Sequence, residues 1–259
     1  MLSALWCAIG GSDRGAPGVD TNNGTSYDDH KGYLYSTGYG ELRNFEDDES
    51  LVTAVKSGNL RAVKGIVSEG ADPTIKDELG RSPVHIAVRK NLPDILAALM
   101  PLNPDLNARD NHGLTPLHIA SGLGNKSMVR RLLELGASAD CTDAEGKTPA
   151  HIACAATGDS QRLAERIDVL GILVLKMSDL DFRDDDGEAP LHVATREGNI
   201  GAVRLLLQAG ATRSLPNKND KRPYEIASDR GYQQIMRILK EEDHKAQAKK
   251  LQQYEKYIN

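Results

Sequence analysis

The chain is 259 residues long, with a formal net charge of −5, 39% hydrophobic residues and only 4% aromatic ones. That charge excludes a general nucleic-acid binder, whose footprint is a strongly basic face. The three cysteines (Cys7, Cys141, Cys154) are an odd set at unrelated spacings. They exclude a disulfide framework and fit a reducing compartment, so a cytoplasmic location is expected, with cytoskeletal or nuclear placement as variants.

Residues 1–46 read as an irregular N-terminal arm. Leu2 to Ile9 is apolar. It lacks a basic leader and a cleavage site and is too short to span a bilayer, so no membrane role is expected. Gly10 to Gly40 is rich in Gly, Asp, Asn, Ser and Thr, a composition that resists regular structure. Four of the eight tyrosines nevertheless fall in the arm. Trp6, Tyr33, Tyr35 and Tyr39 are its candidate anchors, because aromatic side chains dominate binding hot spots. They either pack back on the start of the next domain or dock on a partner.

From residue 47 onward one pattern recurs. Gly80-Arg81-Ser82-Pro83-Val84-His85-Ile86-Ala87 is followed 33 residues later by Gly113-Leu114-Thr115-Pro116-Leu117-His118-Ile119-Ala120. After another 33 comes Gly146-Lys147-Thr148-Pro149-Ala150-His151-Ile152-Ala153, and after 41 more Gly187-Glu188-Ala189-Pro190-Leu191-His192-Val193-Ala194. An eroded copy, Asp220-Lys221-Arg222-Pro223-Tyr224-Glu225-Ile226-Ala227, closes the series at 33. A fixed period of this size marks stacked repeats. Within one copy, Asp110 and Gly113 bracket a tight turn, Asp bonding its own backbone and Gly supplying positive φ. Thr115 suits a helix cap and Pro116 the first helical turn. Leu117 and Ala120 share one helical face; Val129, Leu132 and Leu133 share a face of a second helix that Gly136 ends. A single helix pair cannot hide both apolar faces, so neighbours must stack. The expected fold is all-α: a solenoid of stacked helix-turn-helix units with β-hairpin-like turns.

This pattern resembles the ankyrin repeat family over residues 47–240. The resemblance implies six repeats, near 47–78, 79–111, 112–143, 144–186, 187–219 and 220–240. The first and last are eroded, as caps facing water should be. In the second, Pro93 suits a helix start and Asn103 replaces the terminal Gly. The fourth holds about eight extra residues near Ala156 to Asp168, between its helices. Its Met177 stands where Gly136 and Gly210 stand in neighbours, so that helix end should be built differently. The insertion lengthens a helix or adds a turn, as a tolerated surface addition or as a functional one. Residues 241–259 should continue the last helix as a C-terminal extension. Lys245, Lys249, Lys250 and Lys256 make it either a solvated overhang or a docking helix.

The resemblance implies a non-catalytic interaction module without cofactor. It would bind a protein partner through its concave face and hairpin tips, as a monomer or as a subunit of a larger complex. Family contact positions correspond here to Glu78, Leu79 and Arg81; Arg89 and Lys90; Asn111, His112 and Leu114. They continue with Glu145 and Lys147; Asp185, Asp186 and Glu188; Arg196 and Glu197. The acidic run at Asp184–Glu188 is a solvated turn or a contact for a basic partner. Asn107, with Leu99 and Asp105, resembles the family's asparaginyl hydroxylation site and is otherwise an ordinary turn residue. The motif histidines fall one per repeat and are expected to stabilise turns. No metal site is expected, since His151 and Cys154 are only two ligands. No nucleophile elbow or phosphate loop occurs, so no enzyme is expected. The alternatives are a structural component of a large cytoskeletal or axonemal assembly, anchored by the arm and C-terminal helix, and an inhibitor of a transcription factor.

Overall fold

The computed structural model describes residues 34–36, 42–155 and 160–240. Trp6, Tyr33, Tyr39 and the extension 241–259 lie outside them. Within the arm, expected to be irregular, two short described segments are strands. Strand β1 (Leu34–Ser36) pairs antiparallel with β2 (Leu42–Asn44), setting Tyr35 opposite Arg43. Short apolar and aromatic runs flanking a Gly-containing connection favour a hairpin, a local signal masked by the polar composition around it. Helix α1 (Phe45–Ser57) follows directly and is 13 residues long. It starts before the expected boundary at 47. Elsewhere a proline fixes the first helical residue; here Glu49 and Ser50 replace the Thr-Pro pair, so nothing stops the helix from running back.

Five further helix pairs follow. Their first members are α3 (Pro83–Arg89), α5 (Pro116–Gly122), α7 (Pro149–Cys154), α9 (Pro190–Arg196) and α11 (Pro223–Asp229). Their second members are α4 (Pro93–Leu99), α6 (Lys126–Glu134), α8 (Ser160–Leu173), α10 (Ile200–Ala209) and α12 (residues 233–240); α2 (Leu60–Ser68) partners α1. Each first helix packs on the next, α1 on α3 through to α9 on α11, giving one continuous file. A single apolar core runs from Leu51 to Leu239. The repeating alanines Ala87, Ala120, Ala153, Ala194 and Ala227 are at most 1% exposed, and only a methyl-sized side chain fits between helices this close. The fully buried Leu117, Leu132, Leu191 and Leu206 each contribute about 2 kcal/mol of apolar burial.

The motif histidines join the repeats. In each, Nδ1 accepts the backbone N–H of the helix cap: Ser82, Thr115, Thr148 and Ala189, at 3.0–3.2 Å. A carbonyl can only accept, so Nε2 carries the proton and donates forward. His85 donates to Leu114 O at 2.9 Å, His118 to Lys147 O at 2.8 Å and His151 to Glu188 O at 2.9 Å. His192 departs in register and reaches Leu215 O at 2.8 Å. In the last repeat Glu225 takes the intra-repeat half of this role, accepting the Arg222 N–H at 2.6 Å. Burial pushes all four imidazoles below the ordinary value of 6.5, against the pull of the carbonyls they bond.

The remaining helix ends follow local chemistry. Asn103 adopts φ 49°, ψ 53° and closes a short 3-10 turn, the left-handed role expected of it. Gly136 and Gly210 sit at φ 99° and 105°, whereas Met177 is not at positive φ. Helix α8 accordingly stops at Leu173, closed by Met177 N–H donating to Leu173 O at 3.0 Å. Thr195 at the end of α9 is fully buried, and its hydroxyl has no partner among the described residues. The equivalent position in repeat two is the equally buried Val88.

The unfolded chain takes up its histidine protons near pH 6.5, while the folded chain resists them to lower pH. The stabilisation is therefore complete above 6.5 and lost as pH falls through the depressed folded values, with a slope of up to about 1.4 kcal/mol per pH unit for each imidazole. The urea midpoint should drop steeply between about pH 7 and 5.5, and His118→Gln should flatten that drop. Thr195→Val keeps the shape and removes an unsatisfied hydroxyl, and should raise stability by about 1 kcal/mol in urea unfolding.

Candidate partner-binding surface

Each turn between repeats is built around one side-chain oxygen. Oδ1 of Asp110 accepts the N–H groups of His112 and Leu114, both at 2.9 Å. Asp77, Asp143 and Asp184 repeat this within 0.2 Å, and Asn217 does so with Asn219 and Lys221. The tips are then tied to one another. Asn111 N–H donates to Leu79 O, Ala144 to His112 O, Asp185 to Glu145 O and Lys218 to Asp186 O, all at 3.0–3.1 Å. At Gly113 (φ 73°) a Cβ would lie 2.4 Å from the Ala144 nitrogen, so only glycine lets the next tip approach this closely.

This ladder brings one part of the sequence-expected surface together. Glu78, Leu79, Asn111, His112, Glu145, Asp185 and Asp186 are all exposed along the row, with Leu79 at 49%. Lys147 lies half-buried behind Glu145 and ion-pairs with it, and that bond holds the Glu145 carboxyl below its ordinary value. Leu114 is half-buried beside them. The row mixes charge: Glu78, Glu145, Asp185 and Asp186 stand among the exposed Lys76, Arg109 and Arg183. Lys218 extends it by one repeat, a residue hidden in the sequence by the erosion of the last motif.

Other expected contact residues are drawn inward. Glu188 is buried at 6% exposure and ion-pairs with Arg196, while its other oxygen accepts from Asn217 Nδ2 at 3.4 Å. Burial pushes its carboxyl above the ordinary value; Arg196 only partly offsets this. Glu188 is therefore a structural pair within repeat five and not a surface charge. Its partner lies eight residues on, two turns along α9, and the local sequence of the tip does not connect the two. Arg196 also bonds the half-buried Glu197 at 3.4 Å. Arg81 is similarly committed, with Nη2 at 2.7 Å and Nε at 3.0 Å from Asp77 Oδ2. Burial alone would raise Asp77, but the Arg81 and Leu79 hydrogen bonds outweigh it and hold the carboxyl at about 2. Arg89 and Lys90 are exposed at the C-terminal end of α3.

Asn107 serves a second tie between repeats. Its Oδ1 accepts the Ser138 N–H at 2.9 Å, as Asp140 does for Ser178 at 3.0 Å and Asp181 for Thr212 at 2.8 Å. Of the arm anchors, Tyr35 sits in β1. Both ring nitrogens of His151 are engaged, and burial pushes the Cys154 thiol far up. Among the described residues no three His, Cys, Asp or Glu side chains converge as metal ligands, and no helix is long and apolar enough to cross a membrane.

A family model described as ankyrin repeats (3 copies) matches residues 51–143, 91–170 and 160–250, most of the chain. The chain belongs to the ankyrin repeat family. Human protein phosphatase 1 regulatory subunit 27 is 46% identical over 59 residues, covering 23% of this chain and 38% of that protein. Human ankyrin repeat domain-containing protein 29 is 40% identical over 58 residues, covering 22% of this chain and 18% of that protein. The chain thus spans well under half the length of these relatives. The crystal structure of the ankyrin repeat domain of Bcl-3, described as a unique member of the IkappaB protein family, superposes with a TM-score of 0.67. It is 28% identical and covers 74% of this chain and 85% of that one.

Within this ankyrin stack the fourth repeat stands apart. Helix α8 has 14 residues, against nine and ten in α6 and α10. The extra residues carry its N-terminal half over the α5–α6 turn, where Glu165 Cβ lies 3.0 Å from the Cβ position of Gly124. Arg166, half-buried in this half, donates through Nε and Nη2 to Gly122 O at 3.0 and 2.6 Å, and through Nη1 to Ala155 O. It satisfies carbonyls at the ends of two helices, which have no intrahelical donor. Arg166→Ala should therefore cost about 2 kcal/mol in urea unfolding, and an unchanged midpoint would show that the extension merely lies on the surface.

Proposed function

We propose that this ankyrin repeat protein is a non-catalytic adaptor that takes a basic protein partner on its hairpin-tip row. The observation that carries the reading is the bonded tip ladder, which holds Glu78, Glu145, Asp185 and Asp186 at the edge of one rigid row. Exposed carboxylates fixed on a rigid frame lower the ordering cost of binding and attract the basic groups of a partner. The buried histidines already have structural partners on both ring nitrogens, which leaves them no part in proton transfer. The name of the human relative, a phosphatase regulatory subunit, supports a binding role over a catalytic one. A cytoplasmic setting belongs to the same proposal.

The test compares proteins captured by the full chain, by D185K/D186K and by R204E, an exposed change on α10. Captured partners should fall at least about ten-fold with the tip variant and persist with R204E. Equal capture by all three would remove the tip row from the function. Partners kept by both variants but lost on removing residues 241–259 would favour the assembly-component reading instead.

A further inference from the structure

The opposite edge of the stack, where first helices end and turn into second ones, carries a groove of about 650 Å³. Repeats two, three and four all contribute to it. Arg89 and Lys90 come from the end of α3, Lys126 and Arg130 from α6, and one carboxylate, Glu165, from the lengthened α8. Leu123 lies in the groove at 48% exposure. The floor is held by Asn125 Nδ2 donating to Asn91 Oδ1 at 2.7 Å, which locks the two turns together. Lys126 pairs with Asp168 at 2.8 Å, and Lys90 donates to the Lys56 carbonyl. Arg89 and Arg130 form no ion pair among the described residues, so the two guanidiniums are the uncommitted charges. Helix α6 has no acidic residue in its first turn, so the positive end of its dipole adds to this field.

We propose that this groove docks an acidic peptide segment of a protein partner, carboxylates on Arg89 and Arg130 and an apolar side chain on Leu123. Guanidinium forks match carboxylates in plane and in spacing. A groove of this volume holds a few side chains and is far short of the extended basic stripe a nucleic acid needs. The exposed leucine gives an apolar contact that a phosphate backbone does not use. The inserted residues of repeat four acquire a purpose on this reading, since Glu165 and the Arg166-pinned half of α8 close the third side. The groove shares no lining residue with Asp185 and Asp186, so it stands or falls independently of the adaptor reading.

The experiment is fluorescence anisotropy on the full chain with a labelled Asp/Glu peptide bearing one central leucine. Saturable binding that weakens with salt is expected. R89E/R130E should lower affinity at least about ten-fold, Leu123→Asp should also lower it, and D185K/D186K should leave it unchanged. All three positions in the first two variants are exposed, and matching urea midpoints verify their fold. Absence of saturable binding, equal affinity in R89E/R130E and Leu123→Asp, or tighter binding of an oligothymidylate of equal charge would each overturn the proposal.

Discussion

In repeats two, three and four one neutral imidazole, buried between its own helix cap and a carbonyl of the next unit, sets the geometry of the stack. A pair of helices of 6 to 14 residues each has too little apolar area to stand alone. Its neighbours supply the burial, but apolar contact is non-directional and would let repeats slide. The Nε2–H···O=C bond fixes the register. It works only with the ring uncharged, because a protonated Nδ1 would lose the cap N–H as a donor partner. The same burial that makes the bond strong therefore makes it sensitive to acid.

That register reaches the surface. Because His118 grips the carbonyl of Lys147, the tip of the next repeat cannot rotate away, and the Ala144–His112 bond completes the link. Each aspartate inside a tip accepts two backbone N–H groups, so the exposed side chains stand on a frame with few alternative conformations. The tips then present Glu78, Glu145, Asp185 and Asp186 among basic neighbours, while the edge where first helices end is mainly basic in repeats two and three.

The stack was legible in the sequence because its chemistry is local and periodic. Pro at the first helical residue, Asp and Gly at fixed offsets and Ala at the close helix contact each follow from a neighbour within one repeat. Asn103 could be placed in the left-handed region for the same reason, and Met177 could be excluded from it. The misses arise where a partner is distant or a signal diluted. Glu188 looks like a surface charge until α9 brings Arg196 beside it, and Arg81 until Asp77 folds under it. Arg166 reaches Gly122 across 44 residues, and no periodicity connects the two. The hairpin before α1 was obscured because regional composition outweighed a few strand-forming residues.

Repeat four shows how a solenoid acquires an asymmetric feature. An insertion between two helices costs little, since loop-closure entropy grows slowly with length. Leaving it as a loop would preserve the equivalence of repeats. Here the added residues are helix formers, and α8 grows backward over the preceding turn. Such an overhang would expose its own apolar side without an anchor, and Arg166 supplies one by donating to carbonyls that every helix end leaves unsatisfied. The departure at Met177 fits the same event: a helix displaced toward its start ends early at Leu173, and no left-handed residue is then required. One change in length thus alters both ends of α8 and the shape of the edge beside it, while the histidine register through His151 is untouched.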